Sequence, residues 1–161
     1  MHVADIMTSA PATIEQGASV TRAFQLMQDN EYQQLPVLSE NGHLVGIIHQ
    51  RDCRCALGLP EPSAANCETD APLAPHVAPA KTLWVQHYMQ PAPIVVELET
   101  PAHEAARLMT THHVRALPVM RGETLVGIIT VSDLLIAFMR LLRQGDAQPE
   151  QHEGDRRWRL A

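Results

Sequence analysis

Two short stretches carry residue types able to hold a polar ligand. Residues 127–133 read Gly127-Ile128-Ile129-Thr130-Val131-Ser132-Asp133, and residues 46–52 read Gly46-Ile47-Ile48-His49-Gln50-Arg51-Asp52. An ionised carboxylate is a strong acceptor, and charge-assisted hydrogen bonds exceed neutral ones in strength. A hydroxyl in the first turn of a helix lies beside unpaired backbone N–H groups. Those amides and the helix dipole favour an anion. The bland alternative is that Thr130-x-x-Asp133 has the spacing of a capping box, Thr at the N-cap and an acid three residues on. It would then only start a helix, contributing about 1 kcal/mol. His49 shows that the first stretch does without the Thr and still keeps Asp52. On spacing alone both readings stand.

Other constellations are weaker. Cys53, Cys55 and Cys67, with His49, are the material of a metal or redox site. Residues two apart on a helix point in different directions, however, and no second Cys pair completes a zinc pattern. His112-His113 could reach an anion or simply favour the C-terminal end of a helix dipole. Arg51 and Arg54 flank Asp52 and could bind an anion there, and Arg156-Arg157-Trp158-Arg159 reads as part of a solvated tail. No Ser-His-Asp order, paired carboxylates, P-loop or metal-hydrolase motif points to catalysis, so the chain is expected not to be an enzyme.

The elements that would position these residues repeat. An offset of 82 places Met7 on Met89, Pro11 on Pro93, Leu26 on Leu108, and Leu35-Pro36-Val37 on Leu117-Pro118-Val119. One residue is lost where "SENGH" meets "RGET", after which Leu44 to Ile48 fall on Leu125 to Ile129 and Asp52 on Asp133. In each copy a β-branched run ("ATIE", "IVVE") precedes a helical pattern (Val20, Ala23, Phe24, Met27; Ala102, Ala105, Ala106, Met109). Thr100-Pro101 reads as an N-cap followed by proline at the first helical position. Two strands joined by a hairpin turn follow ("QLPVL" and "HLVGIIH"; "ALPVM" and "TLVGIIT"), then a second helix over residues 51–57 or 131–143. A short helical turn opens each copy ("VADIM", "WVQHYM"). The expected class is α+β, with two pseudo-symmetric β-α-β-β-α repeats. Residues 1–58 and 83–144 form the repeats, 59–82 a Pro-rich linker, and 145–161 a mobile polar tail.

Composition excludes several classes. The chain of 161 residues is 45% apolar, with a net charge of -6 and a pI near 5.8. No general basic field exists for nucleic acid. The longest apolar run, "LLIAFM", is too short to span a bilayer. An odd cysteine count and no signal-peptide pattern fit a cytoplasmic chain with reduced thiols. The helix carrying "LLIAFMRLL" is apolar around most of its circumference, so it needs cover on more than one side. A homodimer through this helix supplies it.

The "DIM" and "HYM" starts, the "LPV" strands and the two "LVGII…D" stretches carry a resemblance. Each copy resembles a cystathionine beta-synthase (CBS) domain, and the two together resemble a CBS pair, or Bateman module. The layout is similar to stand-alone CBS-pair proteins of the acetoin-utilisation type. The resemblance implies a regulatory module with no cofactor of its own. It would bind an adenosine-containing ligand (AMP, ADP, ATP, NAD or S-adenosylmethionine) in clefts between the repeats and modulate a partner protein. It implies that the base lies among Ile14, Pro36, Ile94, Val95 and Pro118. It also implies that Asp133 or Asp52 holds the ribose, and that Thr130 or His49 faces the sugar or phosphates. Arg115 is placed to neutralise phosphate, where the first copy has Gln33. The alternatives are a dimerisation module with empty clefts, or a metal- or redox-responsive protein using Cys53, Cys55 and His49.

Overall fold

The computed structural model describes residues 1–60 and 83–145. The expected linker and tail lie almost wholly outside the described residues. The first repeat holds β1 (Thr8–Ser9), β2 (Ile14–Glu15), α1 (Val20–Asp29), β3 (Gln34–Leu38), β4 (Leu44–His49) and α2 (Gln50–Ala56). The second holds β5 (Gln90–Pro91), β6 (Val96–Glu97), α3 (Ala102–His112), β7 (Ala116–Arg121), β8 (Thr124–Thr130) and α4 (Val131–Gly145). Short 3-10 turns, Val3–Asp5 and Val85–His87, open the copies.

The α+β architecture expected from the sequence is present as two four-stranded sheets, ordered β2-β3-β4-β5 and β1-β8-β7-β6. β2 and β6 run parallel to the "LPV" strands β3 and β7, which form antiparallel hairpins with the "LVGII" strands β4 and β8. A parallel pair needs a crossover element, and α1 and α3 provide it.

The opening segments are exchanged. β1 pairs with β8 of the second repeat, and β5 pairs with β4 of the first. Backbone hydrogen bonds repeat the exchange at corresponding residues. Val3 N–H donates to Thr100 O at 2.8 Å, and Val85 N–H donates to Ala18 O at 2.9 Å. The cores are shared accordingly: Val3 is buried with Leu117, Val119 and Ile129, and Val85 with Leu35, Val37 and Ile48. A smaller buried cluster of Ile47, Ala116 and Ile128 joins residues of the two sheets.

Gly46 and Gly127 explain how the exchanged segments come so close. A Cβ on Gly46 would lie 2.6 Å from Met89 Sδ and 2.9 Å from the carbonyl oxygen of Gln90. A Cβ on Gly127 would overlap Met7 Sδ. The "LVGII" glycine and the methionine of each opening turn are therefore partners across the two repeats.

One local expectation needs correction. The first helical residue of α3 is Ala102, and Pro101 is its N-cap. Thr100 Oγ1 instead accepts the Glu97 N–H at 3.0 Å, which closes the preceding turn. The side-chain cap occurs at the corresponding place in the first repeat, where Ser19 Oγ accepts from Arg22 N–H at 3.2 Å.

Candidate functional site

A cleft of about 770 Å³ is lined by residues of both repeats. Its position follows from the β-strand ends. The hairpin register sets Ala116 opposite Thr130 and Gln34 opposite His49. Each "LVGII" strand therefore ends, and its helix begins, beside the start of an "LPV" strand. Val131 N–H donates to Arg115 O at 3.1 Å, and Gln50 N–H donates to Gln33 O at 2.8 Å. Arg115 thus stands next to the Thr130–Asp133 turn, and Gln33 next to the His49–Asp52 turn. All six residues line the cleft.

The Thr130–Asp133 turn is closed on itself. Asp133 Oδ2 accepts the Thr130 N–H at 2.8 Å and the Thr130 hydroxyl at 2.7 Å. The Asp133 N–H in turn donates to Thr130 Oγ1 at 3.2 Å. This is the reciprocal capping box of the bland reading. It leaves Asp133 Oδ1 without a hydrogen bond among the described residues. Asp133 is half-buried, so that oxygen is held in place at the cleft while the helix start is already satisfied. The first repeat is looser: Asp52 Oδ2 accepts the His49 N–H at 3.4 Å.

Of the residues expected to contact a ligand, the structure brings Asp133, Thr130, Arg115, Asp52, His49 and Pro36 to this cleft. It does not bring Ile14, Ile94, Val95 or Pro118 to the cleft wall. Ile14 belongs to the first core at 6% exposure, Pro118 is fully buried, and Ile94 packs against the second core. Val95 is exposed.

Sequence reasoning missed the walls supplied by the exchanged segments. Thr8, Ala10, Pro11 and Ala12 line the cleft, as does Gln90, which stands where the first repeat has Thr8. The available signal was the repeated Ala-Pro at Ala10-Pro11 and Ala92-Pro93. Both alanines adopt left-handed backbone, with φ of 47° and 49°. The same symmetry appears at the ends of α1 and α3, where Glu31 and His113 have φ of 58° and 54° and both line the cleft. Left-handed backbone at non-glycine residues is uncommon and clusters at functional sites.

The cysteines do not converge on a site. Cys53 is fully buried, and burial, with the Asp52 charge beside it, pushes its thiol up to about 11. Cys55 is exposed and Cys67 lies outside the described residues. Among the described residues no three His, Cys, Asp or Glu side chains are grouped to hold a metal ion.

The outer face of α4 is apolar and open. Leu135, Phe138 and Leu142 are 57%, 56% and 53% exposed, and a groove of about 580 Å³ lined by Leu135, Phe138 and Leu141 runs against α3. Among the described residues no helix is long and apolar enough to cross a membrane.

Comparison with known proteins matches a family model described as CBS domain twice, at residues 3–58 and 85–140. A CBS domain-containing protein of Dictyostelium discoideum is 30% identical over 146 residues, covering 87% of this chain and 92% of its own. The crystal structure of CBSX2 in complex with AMP superimposes with a TM-score of 0.70 at 26% identity. That match covers 88% of this chain and 98% of the other, and CBSX2 comes from Arabidopsis thaliana. The Vibrio cholerae protein named for acetoin utilization, AcuB, gives 0.72 at 27% identity, covering 92% of this chain and 98% of its own. Other relatives are longer. The chain spans 33% of a Methanocaldococcus jannaschii protein and 23% of the homoserine O-acetyltransferase of Methanococcoides burtonii.

Proposed function

The chain belongs to the CBS domain family, and from that premise we propose that it is a non-catalytic regulatory module with residues 1–58 and 83–144 as its halves. It binds an adenosine-containing ligand, such as AMP, ADP, ATP, NAD or S-adenosylmethionine, in the cleft between the repeats. Occupancy of that cleft then alters a partner protein. The observation that carries this reading is the convergence of Thr130, Asp133 and Arg115 with His49 and Asp52 on one cleft of about 770 Å³. That volume lies within the usual range for small-molecule sites, roughly 300–1,000 Å³. The AMP complex of CBSX2 supports the ligand class.

The chemistry follows from the turn geometry. Asp133 Oδ2 is engaged by the helix cap, so Oδ1 is the oxygen available to a ribose hydroxyl. Arg115 supplies a fixed positive charge beside the first turn of α4, where backbone amides and the helix dipole also favour phosphate. The open apolar face of α4 supports assembly as a homodimer, since burying such a stripe against its own copy removes it from water.

The test is a thermal melt with a panel of adenosine ligands. A ligand at a hundredfold over its dissociation constant stabilises by about 2.7 kcal/mol, a shift of several degrees. No shift with any member at millimolar concentration would reject ligand binding and leave dimerisation through α4 as the function.

A further inference from the structure

The two halves of the cleft match in backbone and differ in charge. Glu31 and His113 occupy the same left-handed turn, and Gln33 and Arg115 make the same carbonyl contact with the helix that follows. The exchange of His for Glu and Arg for Gln therefore alters charge on an unchanged frame. The repeat that holds Asp133 contributes to the cleft lining the fixed cation Arg115, with His112 and His113. The repeat that holds Asp52 contributes to the cleft lining a second carboxylate, Glu31, the neutral Gln33, and Arg51 where the second repeat has Ser132. His49, the N-cap of α2, puts a bulkier imidazole where the second repeat has the hydroxyl of Thr130. Each repeat thus lines the cleft with one arginine, Arg51 or Arg115, but the first adds the carboxylate of Glu31 to that of Asp52 and a bulkier ring at position 49, which disfavours a phosphate ester there.

Resting on the adenosine reading above, we propose that the two halves select by ligand charge. The Asp133 half takes a phosphorylated adenosine ligand. The Asp52 half takes an adenosine derivative whose 5′ substituent is uncharged. The specificity-determining residues are the pairs Arg115/Gln33, His113/Glu31 and Thr130/His49. The module thereby registers two kinds of adenosine metabolite at once, one in each half of a common cleft.

Calorimetric titration of the full chain tests this, with AMP and the uncharged 5′-methylthioadenosine as probes. One AMP per chain is expected. In AMP-saturated protein, 5′-methylthioadenosine should bind at one further site without releasing AMP, and Asp52→Ala should abolish that second event. The double variant Glu31→His, Gln33→Arg should raise AMP stoichiometry from one to two. Both positions are exposed, and His already adopts this turn at position 113, so the fold should tolerate the change. Charge selection is overturned if AMP fills two sites of similar affinity in the unmodified chain. It is overturned equally if 5′-methylthioadenosine enters only by displacing AMP, or if the double variant keeps a stoichiometry of one. If neither probe binds, the adenosine reading itself falls, and this inference with it.

Discussion

Substituting the two cleft aspartates one at a time separates helix capping from ligand binding. Asp133 Oδ2 accepts two hydrogen bonds from Thr130, at 2.8 and 2.7 Å. Asp133→Ala removes both, and loss of a cap costs about 1 kcal/mol. For a chain of this length that lowers the melting temperature by about 2–4 °C. The ligand term is additional. A hydrogen bond to a charged group contributes about 1.5–3 kcal/mol, so AMP affinity should fall roughly ten- to a hundredfold. At Asp52 the cap contact is a single hydrogen bond of 3.4 Å, and the neighbouring residue is Gln33 in place of Arg115. Asp52→Ala should therefore change AMP affinity less than about threefold, within the scatter of a single lost weak contact. Asp133→Asn serves as control: it keeps an acceptor for the Thr130 N–H and loses the charge, so stability is retained while affinity drops. The assays are calorimetry with AMP and thermal melts without it. Equal losses from the two alanine variants, or a larger loss from Asp52→Ala, would refute the assignment of AMP to the Asp133 half. A loss of stability with no loss of affinity at Asp133 would reduce the motif to a helix cap.

Three further outcomes are expected. Leu135→Asp or Phe138→Asp should give a folded monomer by light scattering, because both side chains are more than half exposed on the single chain and the charge becomes costly only when a partner covers it; a monomeric unmodified protein at micromolar concentration refutes the dimer. Gly46→Ala should destabilise by about 1–3 kcal/mol, and more than Gly127→Ala, because a flexible methionine meets the new Cβ at both sites but the rigid backbone carbonyl is nearer at Gly46 (Gln90 O, 2.9 Å) than at Gly127 (Thr8 O, 3.2 Å); denaturant melts that rank them the other way count against the exchanged packing. Cys53 is raised from the ordinary 9.0 to about 11 in the fold, so its stabilising contribution, roughly 2–3 kcal/mol, is fully present below pH 9 and is lost as pH rises through 11; urea unfolding of the unmodified chain and of Cys53→Ala should show that difference shrinking between pH 9 and 11, and a constant difference would contradict burial of the thiol.

Much of this protein was legible in its sequence, for a reason tied to distance along the chain. The β3–β4 and β7–β8 hairpins join neighbouring segments, so alternation and turn residues specify them. The second helices start at residues 50 and 131, close to where Asp52 and Asp133 announce them, because a cap acts over three residues. The offset of 82 made the two-fold plan visible without any coordinates.

The tertiary structure decided what depends on contacts between distant segments. Two-residue strands such as Thr8–Ser9 and Gln90–Pro91 are too short to show a period, and nothing local tells Thr8 to pair with Ile128. That pairing arises because each hairpin leaves an open edge, and the glycine there admits the methionine and backbone of the other repeat. The exchange sets Thr8, Ala10, Pro11, Ala12 and Gln90 in the cleft wall, while Ile14 lies in the core. Proline at position 101 was readable as a helix start but not its exact place, since the Thr100 hydroxyl found the Glu97 amide first. Residue types and short spacings therefore singled out the candidate residues, and only the pairing of remote edges assembled Asp52 and Asp133 on a single cleft.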